Sequence, residues 1–136
     1  KAYGDKVKIV WRNLPLPMHN NAQLAAEAAM EAYAQKGDAG FWKFHDALWA
    51  AQGTPDGQAR PGLEKIAQEV GLNMAEFKAA LDSGKHKASV AADSKAANGA
   101  GINGTPAFIV NGYYVNGAQP FEAFDRLIKK AMSEAK

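Results

Sequence analysis

Cysteine is absent from all 136 residues. That excludes disulfide staples, thiolate metal sites and thiol catalysis within the chain, and it leaves the compartment open. Long apolar runs are absent as well. No stretch reaches the ~18 residues of a membrane span, so none is expected. Charge of one sign is scarce: 16 basic against 14 acidic residues leave a net +2. No Lys/Arg cluster alternates with aromatics, which argues against a nucleic-acid partner. Only three histidines occur, His19, His45 and His86. Their spacing fits no common metal site, so the expectation is no metal and no cofactor. No signal peptide opens the chain, although a processed chain would have lost one. Position 1 is lysine, not methionine, so the chain reads as processed, excised or truncated.

What is present suits a globular domain. The chain is 47% hydrophobic and 22% charged, ordinary for a folded protein of a length that can bury a core. Lys1-Ala2-Tyr3 reads as the last turn of a helix, ended at Gly4-Asp5. Val7, Ile9 and Trp11 alternate with Lys8, Val10 and Arg12, the pattern of a strand with one apolar face. Pro15 and Pro17 stop it. A helix over 20–36 follows, with Asn20 or Asn21 as cap and a stripe of Leu24, Ala25, Ala28, Ala32 and Tyr33. Gly37 closes that helix and Asp38 caps the next, over 39–51. Phe41, Phe44 and Leu48 form one of its apolar stripes, and Trp42, His45 and Trp49 form another. Pro61 opens a helix ended by Gly71. Asn73 with Glu76 opens a shorter one ended by Gly84. An Ala-rich helix covers 85–98. The last helix, 120–132, carries Phe121, Phe124, Ile128 and Ala131 on its buried face. The order is strand, helices, hairpin, helix. The helical block looks like an insertion into a smaller α/β unit.

The densest signal is residues 101–115. A glycine-rich loop leads into Thr105-Pro106, then the apolar run Ala107–Val110, then Asn111-Gly112 and a second strand. Continuous apolarity predicts an interior strand covered on both faces. Asn-Gly tolerates positive φ at both central positions of a type I′ turn. Proline lacks an N–H, so Pro106 at a strand start costs no ladder bond.

This run, followed by Gly117-Ala118-Gln119-Pro120-Phe121, resembles the C-terminal part of the DsbA-like thiol–disulfide oxidoreductases of the thioredoxin superfamily. Val10-Trp11-Arg12-Asn13-Leu14-Pro15-Leu16 resembles the family's second strand. Phe41-Trp42-Lys43-Phe44-His45-Asp46-Ala47-Leu48 resembles the start of its inserted helical domain. The resemblance implies one α/β domain over 1–136, a thioredoxin-like fold with a helical insertion at 19–100. It implies that Gly104, Thr105 and Pro106 form a cis-proline loop whose backbone pairs with extended or unfolded protein substrates. It also implies a periplasmic or otherwise extracytoplasmic location. The family's first strand and Cys-x-x-Cys helix, which precede the Val7 strand, have no counterpart here. No catalytic residue can therefore be named, and the polypeptide is expected to be redox-inactive as given. The expected gap in the sheet invites completion by a partner chain, a homo-oligomer or a strand-swapped dimer.

Plainer readings stand beside these. Scattered histidines usually pack on helices or face water. Trp11, Trp42 and Trp49 could line a cleft, but core filling is the default. The glycine-rich run 99–104 lacks a phosphate-loop lysine and leads into a strand. Two other functions compete: a redox-dead module that holds peptides at the Thr105-Pro106 loop, and a relative of the kappa-class glutathione transferases, for which no glutathione-specific feature is visible.

Overall fold

The computed structural model describes residues 2–135. Among them it forms two compact units, one reaching to Lys95 and one starting at Ala96. The expected helix tail touches Lys1, which lies outside the described residues. Tyr3 instead leads into a single 3-10 turn, Gly4–Lys6.

The first unit is built on α1 (Ala22–Ala50), α2 (Arg60–Val70) and α3 (Met74–Ser83), with α4 (Lys87–Gly99) beginning before the boundary. α1 is two helices joined at Gly37, whose φ of 64° and ψ of −155° are non-helical. The sequence marks this break correctly. The start of α1 differs: Asn21 stands at the N-cap but makes no side-chain bond there. α1, α2 and α3 pack on one another through small residues on one side and large ones on the other. Ala28, Ala32, Phe44, Leu63, Ala67 and Phe77 are fully enclosed. The alanines let helix backbones approach closely, and Phe44 and Phe77 fill the centre with ring centroids 6.1 Å apart. α3 starts as the sequence predicts: the Glu76 N–H donates to the Asn73 side chain at 3.1 Å. Gly71 and Gly84 end α2 and α3 in the left-handed conformation that glycine adopts without penalty.

The segment Val7–Arg12 departs from its expected form. Val7 is extended (φ −128°, ψ 128°), yet no ladder forms there among the described residues. The alternating face is not covered either, with Ile9 73% exposed. A period-2 pattern gives extended backbone, but a strand also needs a neighbour, and none of the described residues pairs with this one. Side chains hold it instead. The Asn13 backbone N–H and Nδ2 both donate to Asp93 Oδ2 at 3.0 Å. Arg12 Nη1 donates to Asp93 Oδ1 at 3.0 Å. Trp11 Nε1 donates to Asn13 Oδ1, also at 3.0 Å.

The second unit contains β1 (Ala107–Val110), β2 (Tyr113–Asn116) and α5 (Phe121–Glu134). The strands pair antiparallel, Ala107 with Asn116 through Val110 with Tyr113. Asn111 (φ 44°) and Gly112 (φ 93°) make the turn in the positive-φ form that Asn-Gly predicts. α5 packs on β1, where the Phe108 and Phe124 rings meet edge to face at 4.8 Å. Two expectations are corrected. β1 is not covered on both faces: Phe108 is 41% and Ile109 57% exposed. Phe121 is not on a buried face but 59% exposed. An apolar run reads as interior only if enough neighbouring elements exist to enclose it, and this sheet has two strands among the described residues.

Candidate functional site

The loop that precedes β1 is built by its two ends. Ile102 N–H donates to Ala97 O at 2.9 Å, which closes the C-terminus of α4. Gly117 N–H donates to Pro106 O at 2.9 Å, which ties the loop exit to the end of β2. Between these two anchors, Asn103, Gly104 and Thr105 make no hydrogen bond among the described residues. All three are exposed, and so is Pro106. The Thr105–Pro106 peptide bond is cis.

The structure thus places Gly104, Thr105 and Pro106 on one exposed stretch that runs straight into β1, with Gly104 and Thr105 unpaired and the Pro106 carbonyl bonded to Gly117. An unpaired N–H and C=O beside a strand can accept an extended peptide by strand addition, in which main-chain bonds give affinity with little sequence demand. The edge of β1 away from β2 is also unpaired among the described residues, the condition under which edges recruit other chains. No side chain at the loop is a nucleophile or a general base.

The other sequence candidates behave differently. His45 sits within an aromatic group in the first unit, with centroid distances of 4.9 Å to Trp11, 5.3 Å to Trp42 and 6.0 Å to Trp49. Its Nδ1 lies 3.1 Å from Asp46 Oδ1 on the solvent side. Trp49 is 66% exposed, so core filling does not account for it. Trp11 and Trp42 line a cleft of about 390 Å³ with Ile9, Tyr33 and Phe41. His19 is exposed. Among the described residues no group of three or more His, Cys, Asp or Glu could hold a metal ion.

Sequence reading missed one buried polar cluster. Glu31 is fully enclosed. It accepts from His86 Nε2 at 2.6 Å, Gln35 Nε2 at 2.9 Å and Lys85 Nζ at 3.0 Å. Burial pushes its carboxyl pKa up, but the bonds from His86, Gln35 and Lys85 outweigh it, and the net shift is downward. The cluster ties the chain just ahead of α4 to α1. Its only sequence signal is an acidic residue within an alanine stripe.

Known proteins resemble the chain as follows. A family model described as "DSBA-like thioredoxin domain" matches residues 1–129. A protein named Na(+)/H(+) antiporter NhaA 3 from Salinispora tropica is 37% identical over 132 residues, covering 96% of this chain and 19% of its own length. Na(+)/H(+) antiporter NhaA 1 from Salinispora arenicola is 36% identical over 130 residues, 93% of this chain and 19% of its own. Na(+)/H(+) antiporter NhaA from Herminiimonas arsenicoxydans is 34% identical over 116 residues, 85% of this chain and 17% of its own. The chain therefore spans about a fifth of the length of these curated relatives. Among the described residues no helix is long and apolar enough to cross a membrane.

Proposed function

Because the chain belongs to the family of DSBA-like thioredoxin domains, we propose that it is the substrate-docking part of a thiol–disulfide exchange domain. In this reading it holds extended protein segments at Gly104-Thr105-Pro106 and performs no thiol chemistry of its own. Among the described residues, five α-helices and a two-stranded antiparallel sheet form a mixed α/β set consistent with a DsbA-like thioredoxin fold lacking a strand. Residues 1–136 constitute one such domain, with 19–100 as its helical insertion, and it works outside the cytoplasm. The observation that carries this reading is the unpaired, exposed Thr105 backbone at the entry to β1. Exchange requires a thiolate to attack a disulfide sulfur. With no cysteine in the chain, that thiolate has to come from another segment or chain.

The test is peptide binding followed residue by residue with amide NMR. Extended, unfolded peptides are expected to perturb residues 104–108. Thr105→Ala keeps the backbone N–H and should bind like the parent. Thr105→Pro removes the N–H and should lose binding. Equal binding by both variants, or perturbations confined to residues before 96, refutes the docking role. Insulin reduction by the chain alone should show no turnover.

A second reading is favoured by the three relatives, each of which carries the antiporter name and matches most of this chain over less than a fifth of its own length. In it the same loop serves as the accessory docking domain of a longer ion-transport polypeptide. The complete coding sequence separates the two readings: a Cys-x-x-Cys ahead of Lys1 supports the first, a multi-span membrane region the second.

A further inference from the structure

Four Asn-Gly steps occur in the chain, at Asn98, Asn103, Asn111 and Asn116. All four lie in the second unit, and all four asparagines are exposed. Asn-Gly is the sequence in which an asparagine side chain is most open to attack by its own backbone, because glycine has no Cβ to shield the following nitrogen. The reaction needs two things from the fold. The glycine N–H must be free to lose its proton, and the asparagine backbone must rotate until that nitrogen reaches Cγ.

Three of the four sites fail one requirement. Asn98 and Gly99 lie inside α4, where helical torsions hold the backbone, and the Asn98 carbonyl accepts from the Gly101 N–H at 3.0 Å. Gly117 N–H is engaged with Pro106 O at 2.9 Å, and Asn116 Oδ1 accepts from the Tyr114 hydroxyl at 3.4 Å. Asn111 is fixed at a φ of 44° in the hairpin turn directly beside the Val110–Tyr113 pair. Rotating it opens the turn and the adjoining ladder. Reactions that need local opening are slowed by the free energy of that opening. Asn103-Gly104 meets both requirements. Neither residue makes a hydrogen bond among the described residues, neither belongs to a helix or strand, and nothing approaches Gly104 within 4 Å of where a Cβ would sit.

We propose that Asn103 is a modification site, the position at which this chain converts asparagine to aspartate and isoaspartate. Solvent base removes the Gly104 amide proton. The nitrogen attacks Asn103 Cγ, a new N–C bond forms, and the Cγ–Nδ2 bond breaks, releasing ammonia. Water then opens the resulting succinimide at either carbonyl. Opening at one yields aspartate, and opening at the other yields isoaspartate with an extra methylene in the main chain. No oxidant, reductant or enzyme is needed. The product puts a negative charge two residues ahead of Thr105, and the isoaspartyl form lengthens the loop that the Ile102 and Pro106 bonds anchor. The assignment rests on loop geometry alone and does not depend on what the loop binds.

The experiment ages the folded full chain in mildly alkaline buffer and maps the sites by peptide mass spectrometry, with enzymatic isoaspartate methylation as a second readout. Folded chain should accumulate product at Asn103 several-fold faster than at Asn98, Asn111 or Asn116. The same chain in denaturing urea should lose that preference. Gly104→Ala is the informative variant. Gly104 has neither positive φ nor close neighbours, so alanine fits the fold, and the new methyl should remove most of the Asn103 product. The proposal is overturned if another Asn-Gly step leads in folded chain, if folded chain ages no faster at Asn103 than at the other three, or if Gly104→Ala leaves the Asn103 rate unchanged.

Discussion

Replacing Gly37 by alanine isolates the cost of the bend in α1. Gly37 sits at φ 64°, ψ −155°, a region populated essentially by glycine alone, where any other residue costs about 1–3 kcal/mol. An added Cβ would meet nothing within 4 Å, so no steric collision confuses the reading and the whole cost is backbone strain. The chain could escape by straightening α1. That would swing the buried Phe41 and Phe44 off their core positions, at about 1.5–3 kcal/mol for each side chain re-exposed. Staying bent is cheaper. At roughly 4 °C per kcal/mol for a chain of this size, the melting temperature should fall by about 4–12 °C. Trp11, Trp42 and Trp49 are the only tryptophans and all lie before residue 96, so tryptophan fluorescence reports on the unit that carries the bend. Gly40→Ala provides the contrast. Its Cβ would lie 2.8 Å from Ala32 O and against the Lys36 side chain, a packing collision worth about 1–3 kcal/mol at a glycine whose φ is not positive. A Gly37→Ala chain that melts within about 0.5 kcal/mol of the parent, the ordinary range of a neutral surface change, refutes the reasoning.

Three further predictions concern the polar clusters. Glu31 has a folded pKa below its unfolded value, so its stabilisation is complete above the ordinary carboxylate range and is lost as pH falls through the folded value. Acid melts of the parent should decline through that window, while Glu31→Gln should start about 1–3 kcal/mol less stable and show a shallower decline; equal slopes would remove Glu31 as the acid-sensitive group. Asp93→Ala leaves the enclosed Asn13 without an acceptor for its backbone N–H and Nδ2, expected to cost about 1–3 kcal/mol and to shift Trp11 emission. Arg12→Ala, which removes a side chain 76% exposed, should change stability by less than about 1 kcal/mol.

Local signals were legible in the sequence. Gly37, Gly71 and Gly84 end helices because glycine accepts torsions that other residues resist. Asn73 with Glu76, and Asn111 with Gly112, carry their capping and turn chemistry in adjacent side chains. Each needs only a few neighbouring residues to act. Signals that depend on distant partners were misread. Val7–Arg12 has a strand's pattern without a strand's neighbour, and Phe108, Ile109 and Phe121 have core composition without enough elements to enclose them. Glu31 carries no local signal of burial because its partners His86 and Lys85 lie more than fifty residues away. The same holds at the loop. Thr105-Pro106 stands out in the sequence, whereas the lack of hydrogen bonds across 103–105 is visible only in the structure.

The single bond from Gly117 N–H to Pro106 O has a consequence for how far the hairpin can grow. Pairs 107–116 through 110–113 set the register, and 106 with 117 is the next rung. By the alternation of antiparallel pairing, that rung should exchange two bonds. Proline can accept one and donate none, so the rung is half made. A zipper that closes from the Asn-Gly turn outward meets a missing tooth at Pro106 and stops. Thr105, one position beyond, stays outside the hairpin's own bonding, and the hairpin cannot satisfy that backbone by extending the sheet it already has.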